Sequence, residues 1–151
     1  MEGIKPGFTL KMNHLAILSK KRKLLAKILS GEKTIESRWY KFRRTPYRNI
    51  SPGDTIYFKE SGEPVTAKVH VSKVLFFDDL NKDKIRQILI KYGKQIGIPL
   101  SNAPKYAGKN YCTLISLKDV EQIRPFRIDK SGFGLMAAWI TVKNINSLKI
   151  R

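Results

Sequence analysis

Cysteine and histidine are scarce in this chain of 151 residues, and their scarcity excludes several kinds of site. Cys112 is the only cysteine, so neither an intramolecular disulfide nor a cysteine-based zinc cluster can form. The two histidines, His14 and His70, are far apart in the sequence and lack the spacing of a metal-binding pair on a helix. We therefore expect no metal site and no cofactor.

Long apolar runs are also missing. No run approaches the ~18 residues that span a bilayer, and the first residues lack the apolar core of a signal peptide. We expect a soluble protein of the cytoplasm that has no membrane partner.

Acidic side chains are few, whereas basic ones are abundant. The chain has 30 Lys and Arg against 12 Asp and Glu, which gives a formal net charge of +18. Such an excess attracts anions and favours a nucleic-acid partner. The alternative is a solvated basic surface, but the lysine enrichment of thermophile proteins usually comes with glutamate, and acids are scarce here.

The hydrophobic pattern predicts one α+β domain. Hydrophobic residues make up 42% of the chain, which is enough for a folded core. Two amphipathic segments predict helices, one over residues 20–30 and one over about 82–92 that Asn81 caps and that Gly93 and Gly97–Ile98–Pro99 end. Short apolar or alternating segments predict five or six strands, at residues 14–18, 33–39, 55–59, 65–77, 111–117 and 137–142.

The connections between these strands are short, which favours antiparallel pairing. Strands of this number and spacing predict a small, mostly antiparallel, partly closed β-barrel with two or more flanking helices. Residues 1–13 are predicted to be a flexible N-terminal arm, and residues 14–151 the folded domain. Residues 97–110, rich in Gly, Pro, Ser and Asn, are predicted to be a long loop.

The segment Gly31–Arg38 groups three charges that point to a site. In a regular strand Glu36 and Arg38 share one face and Lys33 lies on the other, but a turn at Lys33–Thr34 would let all three converge. A carboxylate held by two cations could accept a hydrogen bond from a base while the cations meet phosphate. The alternative is an internal ion-pair network that closes the barrel, and the two interpretations are compatible.

Rings and cations alternate directly after this segment. Flat rings can stack on unpaired bases while cations neutralise phosphates, although any one ring is as often plain core. The nucleic-acid-binding residues that we predict, besides Lys33, Glu36 and Arg38, are Trp39, Tyr40, Lys41, Arg43, Arg44, Arg48 and Lys59.

The segment around Gly31 resembles the G-x-K-x-x-E-x-R signature of ASCH domains, which belong to the PUA-like superfamily. Pro52–Gly53–Asp54 leads into a strand and resembles the second element of that family, and the match spans residues 14–77. The resemblance implies a barrel of about six strands with the signature lining a cleft. Related PUA-like domains bind RNA, and a few ASCH proteins cleave RNA or hydrolyse acylated nucleosides.

The acyl-hydrolysing members carry a threonine three residues after the signature lysine. Lys33 matches the lysine, but the threonine position holds Glu36, so that activity is not expected here. Cleavage of RNA without a metal would need a base and a charge stabiliser, for which Lys33, Tyr40 and Ser61 are the catalytic candidates.

These observations predict a monomeric domain that binds RNA or a nucleotide in a basic cleft. One alternative is a small metal-independent hydrolase that acts on RNA or a modified nucleoside. A third class is a module whose basic surface binds an acidic protein partner.

Overall fold

The computed structural model describes residues 10–134 and 136–150. Most of the predicted N-terminal arm lies outside the described residues, and the first strand begins at its last residue, Asn13. The strands are β1 Asn13–Leu18, β2 Ile35–Tyr40, β3 Thr55–Glu60, β4 Val65–Phe77, β5 Tyr111–Phe126 and β6 Trp139–Val142. The α-helices are α1 Leu24–Ser30 and α2 Lys82–Ile96, and two 3₁₀ helices span Leu100–Tyr106 and Ile145–Leu148.

The six strands form one curled sheet in the order β2-β5-β4-β3-β1-β6. Among the strands of the described residues, only β1 and β3 pair in parallel, and every other pair is antiparallel. Register shifts interrupt the β4–β5 ladder at three places, and such irregularities bend and twist a sheet. The prediction of a mostly antiparallel, partly closed barrel with flanking helices is confirmed.

The curled sheet encloses the main core and carries a second apolar layer on its outside. Ile56, Phe58 and Val69 are fully buried inside, where Leu25 and Ile28 of α1 close one end. Outside, Ile85, Ile88 and Leu89 of α2 pack with Ile35, Trp39 and Leu114 of β2 and β5. Strand β2 therefore has one face toward the barrel interior and the other toward α2.

The start of α1 and the end of α2 differ from the prediction, and each difference has a structural reason. Helix α1 begins at Leu24 rather than Lys20, because Lys23 has a left-handed backbone with φ of 54°. Asn81 caps α2 as predicted and accepts a hydrogen bond from Lys84 N at 2.8 Å. The helix continues past the predicted last residue, Tyr92, to Ile96 and ends at Gly97, the second of the two glycines that were predicted to end it.

Gly93 is a site of close packing inside α2. Its carbonyl accepts from Gly97 N at 2.8 Å and Ile98 N at 3.0 Å, which ends the helix at the left-handed Gly97. A Cβ on Gly93 would lie 2.7 Å from Ile98 O, so a side chain there would displace this turn. The segment that follows was predicted as a loop but contains the 3₁₀ helix Leu100–Tyr106.

Candidate nucleic-acid interface

A cleft of about 310 Å³ lies where the curled sheet fails to close, and we call it the seam cleft. Strands β2 and β6 are the two edges of the sheet. Arg38 of β2 crosses the gap between them, donating to Ile17 O of β1 at 3.2 Å and to Ala138 O at 3.5 Å. The cleft is therefore formed by the barrel's own opening, with the end of α2 at one side.

The charges of the signature converge on the floor of the seam cleft. Lys33 Nζ lies 3.4 Å from Glu36 Oε1, and Arg38 Nη2 lies 3.5 Å from Glu36 Oε2. Lys33 can reach Glu36 because it precedes β2. Its N–H donates to Lys27 O at 3.0 Å, and Thr34 N–H donates to Gln95 O at 3.0 Å. These two bonds tie the turn before β2 to both helices, so the convergence that required a turn at Lys33–Thr34 occurs.

Each charge in this cluster is held by further hydrogen bonds. Lys33 Nζ donates to Ile35 O and Ile96 O at 2.7 Å each, and Ser37 N–H donates to Glu36 Oε1 at 2.9 Å. Lys33 and Glu36 are each only 3% exposed. The cluster therefore has the geometry of the internal ion-pair network that closes the barrel, with Arg38 as its most accessible member.

The environment of the cluster shifts two pKa values. Burial lowers the pKa of Lys33, and the neighbouring Glu36 offsets this only in part. Burial alone would raise the pKa of Glu36, but the Lys33 ammonium, the Arg38 guanidinium and the Ser37 N–H together lower it. Glu36 therefore stays ionised, because two cations and a backbone donor face it.

Aromatic side chains form the wall of the seam cleft. Trp39 is 8% exposed and packs on Tyr106 with ring centroids 4.6 Å apart. Its Nε1–H donates to Ser37 Oγ at 3.0 Å. Tyr40, half-buried at the other end of the cleft, offers a more accessible ring for stacking.

The rim of the cleft contains cations that sequence reasoning did not assign to the site. Arg22 comes from the turn before α1 and interacts with the Tyr106 hydroxyl. Lys109 comes from the segment between the first 3₁₀ helix and β5. Both are separated in the sequence from the signature at Gly31–Arg38, and only the fold brings them to the same opening.

The structure brings some of the predicted site residues together and leaves others apart. Lys33, Glu36, Arg38, Trp39 and Tyr40 line the seam cleft. The remaining predicted residues lie outside its lining, namely Lys41, Arg43, Arg44, Arg48, Lys59 and Ser61.

Those outlying residues occupy three different places. Lys41, Arg43 and Arg48 are exposed on the segment after β2, where the guanidinium carbons of Arg43 and Arg48 lie 5.4 and 5.8 Å from the Tyr47 ring centroid. Lys59 is 9% exposed on β3, and burial together with the charges of Lys130 and Arg127 lowers its pKa. Ser61 lies in the β3–β4 turn, outside the lining of the seam cleft, and donates its N–H to Leu18 O at 3.0 Å.

A second buried polar network anchors the opposite edge of the seam. His14 Nε2 lies 2.8 Å from Asp54 Oδ2, and His14 Nδ1 accepts from Trp139 Nε1 at 3.0 Å. An indole N–H can only donate, so Nδ1 carries no proton and the imidazole is the neutral form with its proton on Nε2. Burial lowers the pKa of His14, which agrees with that form. Arg38 lies above the same indole, 5.1 Å from the ring centroid, so this network supports the cation that spans the seam.

Within residues 10–134 and 136–150, no three His, Cys, Asp or Glu side chains are grouped so that they could hold a metal ion. Among the same residues, no helix has the length and apolar character needed to cross a membrane.

Solved structures of ASCH from Zymomonas mobilis share this fold. That protein superposes with a TM-score of 0.66 over 92% of this chain and 96% of its own, at 18% identity. A serine-to-alanine variant of that protein superposes with a TM-score of 0.67 over 95% of this chain and 100% of its own, also at 18% identity. No family model matches the sequence, and no curated protein matches it. The fold is therefore ASCH-like, as the signature around Gly31 predicted.

Proposed function

We propose that this ASCH-like domain binds RNA and that the seam cleft is where it does so. The observation that carries the proposal is the charge of the cleft. Arg22, Lys33, Arg38 and Lys109 line it, whereas Glu36 is the only acid among its described lining residues. A cleft with such an excess of cations concentrates a phosphate-bearing ligand, and the net charge of +18 attracts it from a distance.

The members of the cleft have different roles in this proposal. Glu36 already accepts from Lys33, Arg38 and Ser37, so it orients the cations rather than reading a base. Arg22 and Lys109 at the rim meet phosphates. Tyr40 provides the ring on which an unpaired base stacks, while Trp39 is committed to packing on Tyr106.

Removing both rim cations is expected to weaken binding of single-stranded RNA. In the Arg22→Ala/Lys109→Ala double variant, we expect at least tenfold lower affinity at low salt. The slope of log K against log salt should become shallower by about 1.4, because two phosphate contacts are lost and each contributes about 0.7 for a single strand. Fluorescence anisotropy with a labelled oligoribonucleotide at several salt concentrations measures both quantities.

The matched control removes the same two charges elsewhere. Lys73 and Arg124 are exposed and lie outside the cleft, so Lys73→Ala/Arg124→Ala changes the net charge equally. We expect this control to lose much less affinity. Equal losses in the two double variants would mean that RNA meets the general basic surface, which would contradict a site at the seam.

A hydrolase is the second candidate, because burial lowers the pKa of a lysine that lines the cleft. The geometry opposes it, since Lys33 Nζ has Ile35 O, Ile96 O and Glu36 as acceptors for its three protons. A base or nucleophile needs a free lone pair.

We therefore expect labelled RNA to stay intact when it is incubated with the protein in EDTA. Lys33→Met and Tyr40→Phe variants that are shown to fold serve as comparisons. Cleavage by the wild type that both variants lose would establish the hydrolase, whereas equal cleavage by all three would indicate a contaminant.

A further inference from the structure

A second pocket of about 430 Å³ adjoins the seam cleft, and the proposed function does not use it. It lies between the end of β2 and the segment that leads into β6, and we call it the neighbouring pocket. Its wall includes Arg44, Thr45 and Phe133, and no acid is among its described lining residues.

The two pockets are adjacent. Tyr40 and Ala138 line both of them and form their shared border. Trp139 lines the neighbouring pocket and lies beneath Arg38 of the seam cleft. The next nucleotide of a strand bound in the cleft would therefore reach the neighbouring pocket across Tyr40.

Each pocket contains a cation and an accessible aromatic ring. Arg22, Arg38 and Lys109 line the seam cleft together with the half-buried ring of Tyr40. Arg44, which lies 5.5 Å from the Tyr40 ring centroid, lines the neighbouring pocket together with Phe133, which is 47% exposed. A cation beside a ring suits one phosphate and one unpaired base, and each pocket provides this combination.

We propose that the ligand is an extended single strand of RNA with at least two consecutive nucleotides, one in the seam cleft and the next in the neighbouring pocket. This inference rests on the proposed function and adds the length and form of the ligand. A mononucleotide would fill only one of the two pockets. A duplex would present paired bases that cannot enter either of them, since base recognition in RNA needs unstacked, unpaired bases.

The test compares a short ligand with a longer one on variants of the neighbouring pocket. Binding of uridine monophosphate and of a labelled tetrauridylate is measured for the wild type, for Arg44→Ala and for Phe133→Ala. We expect each variant to bind the tetranucleotide about tenfold more weakly. Binding of the mononucleotide should change less than twofold. Arg124→Ala, which removes an exposed guanidinium outside both pockets, is the control for charge.

The outcomes separate this inference from the proposed function. If Arg22→Ala/Lys109→Ala weakens tetranucleotide binding while Arg44→Ala and Phe133→Ala do not, the two-pocket inference is overturned and the RNA site at the seam stands. If the mononucleotide binds as tightly as the tetranucleotide, the inference is likewise overturned. If neither ligand binds the wild type, the proposed function itself fails.

Discussion

Replacing Glu36 with glutamine is expected to lower the free energy of unfolding by about 3 kcal/mol, the cost of leaving a buried charge without its partner. Glu36 faces Lys33 at 3.4 Å and Arg38 at 3.5 Å, and it is 3% exposed. The neutral amide would leave Lys33 buried without its counter-charge and would turn an N–H toward a donor. Urea denaturation followed by circular dichroism measures the change.

The same substitution should change how stability depends on pH. The pKa of Glu36 in the folded protein lies below its ordinary value of 4.5, so its ionised form stabilises the fold above that pH. This contribution is lost as the pH falls through the lower, folded value. We expect the wild type to lose stability below about pH 4.5, and the Glu36→Gln variant to lose less over the same range.

An exposed glutamate provides the control for this prediction. Glu121 lies 3.7 Å from Lys68 and is 59% exposed, so Glu121→Gln breaks an ion pair at the surface. Such pairs contribute about 0–1 kcal/mol. A loss from Glu36→Gln no greater than the loss from Glu121→Gln would contradict the buried cluster.

Replacing Asp54 with asparagine should also cost about 3 kcal/mol, because hydrogen bonds to a buried carboxylate are lost or reversed. Asp54 is 1% exposed and accepts from His14 Nε2 at 2.8 Å, Met12 N at 3.0 Å and Ser51 N at 3.1 Å. An asparagine keeps one acceptor oxygen, so its amide nitrogen must face one of these donors. The histidine cannot change its tautomer to compensate, since Trp139 donates to its other nitrogen.

The exposed pair of His70 and Asp119 provides the matched control for Asp54→Asn. His70 lies 3.1 Å from Asp119, and both side chains are solvent-exposed, at 41% and 65%. Asp119→Asn is therefore expected to change stability by less than about 0.5 kcal/mol. Similar losses from Asp54→Asn and Asp119→Asn would show that the seam network adds nothing to stability.

The buried network of His14 and Asp54 also predicts a loss of stability in acid, and this loss begins at a higher pH than the loss that Glu36 causes. Burial holds the pKa of His14 below 6.5, and Asp54 acts against that shift. The neutral imidazole therefore stabilises the fold above about pH 6.5, and this contribution is lost as the pH falls through the lower, folded value. In Asp54→Asn the opposing influence of Asp54 is removed. The pKa of His14 should fall further, and stability should decline more steeply below pH 6.5.

Local sequence signals predicted most of the fold. The alternation from Val65 gave the strand β4, and Asn81 marked the start of α2 because its side chain caps the helix. Boundaries that depend on tertiary packing were not predictable. A glycine usually signals the end of a helix, but Gly93 lies inside α2, where the lack of a side chain lets Ile98 O approach its backbone closely. Strand β5 extends past Leu117 to Phe126 because β4 provides a partner as far as Val65.

The site was predictable only where it lies within one segment. Lys33, Glu36 and Arg38 are close in sequence, so their convergence depended on a single turn. Arg22, Tyr106 and Lys109 reach the cleft from separate elements, and no local pattern connects them. Conversely, Lys59 and Ser61 were predicted as site residues but lie on β3 and in the turn after it, neither of which contributes to the lining of the cleft.

The most direct measurement is a titration of the isotopically labelled protein with single-stranded RNA, observed by nuclear magnetic resonance. The chain has two tryptophans, so its spectrum contains two indole N–H signals, which a Trp39→Phe variant assigns. We predict that the signals of the Trp39 indole N–H and of the Ser37 and Tyr40 amides shift saturably as RNA is added. The amide signal of Asp119, which lies in β5 outside the cleft lining, should not change. Shifts confined to the surface around Lys59 and Arg127, with the seam residues unchanged, would contradict the account.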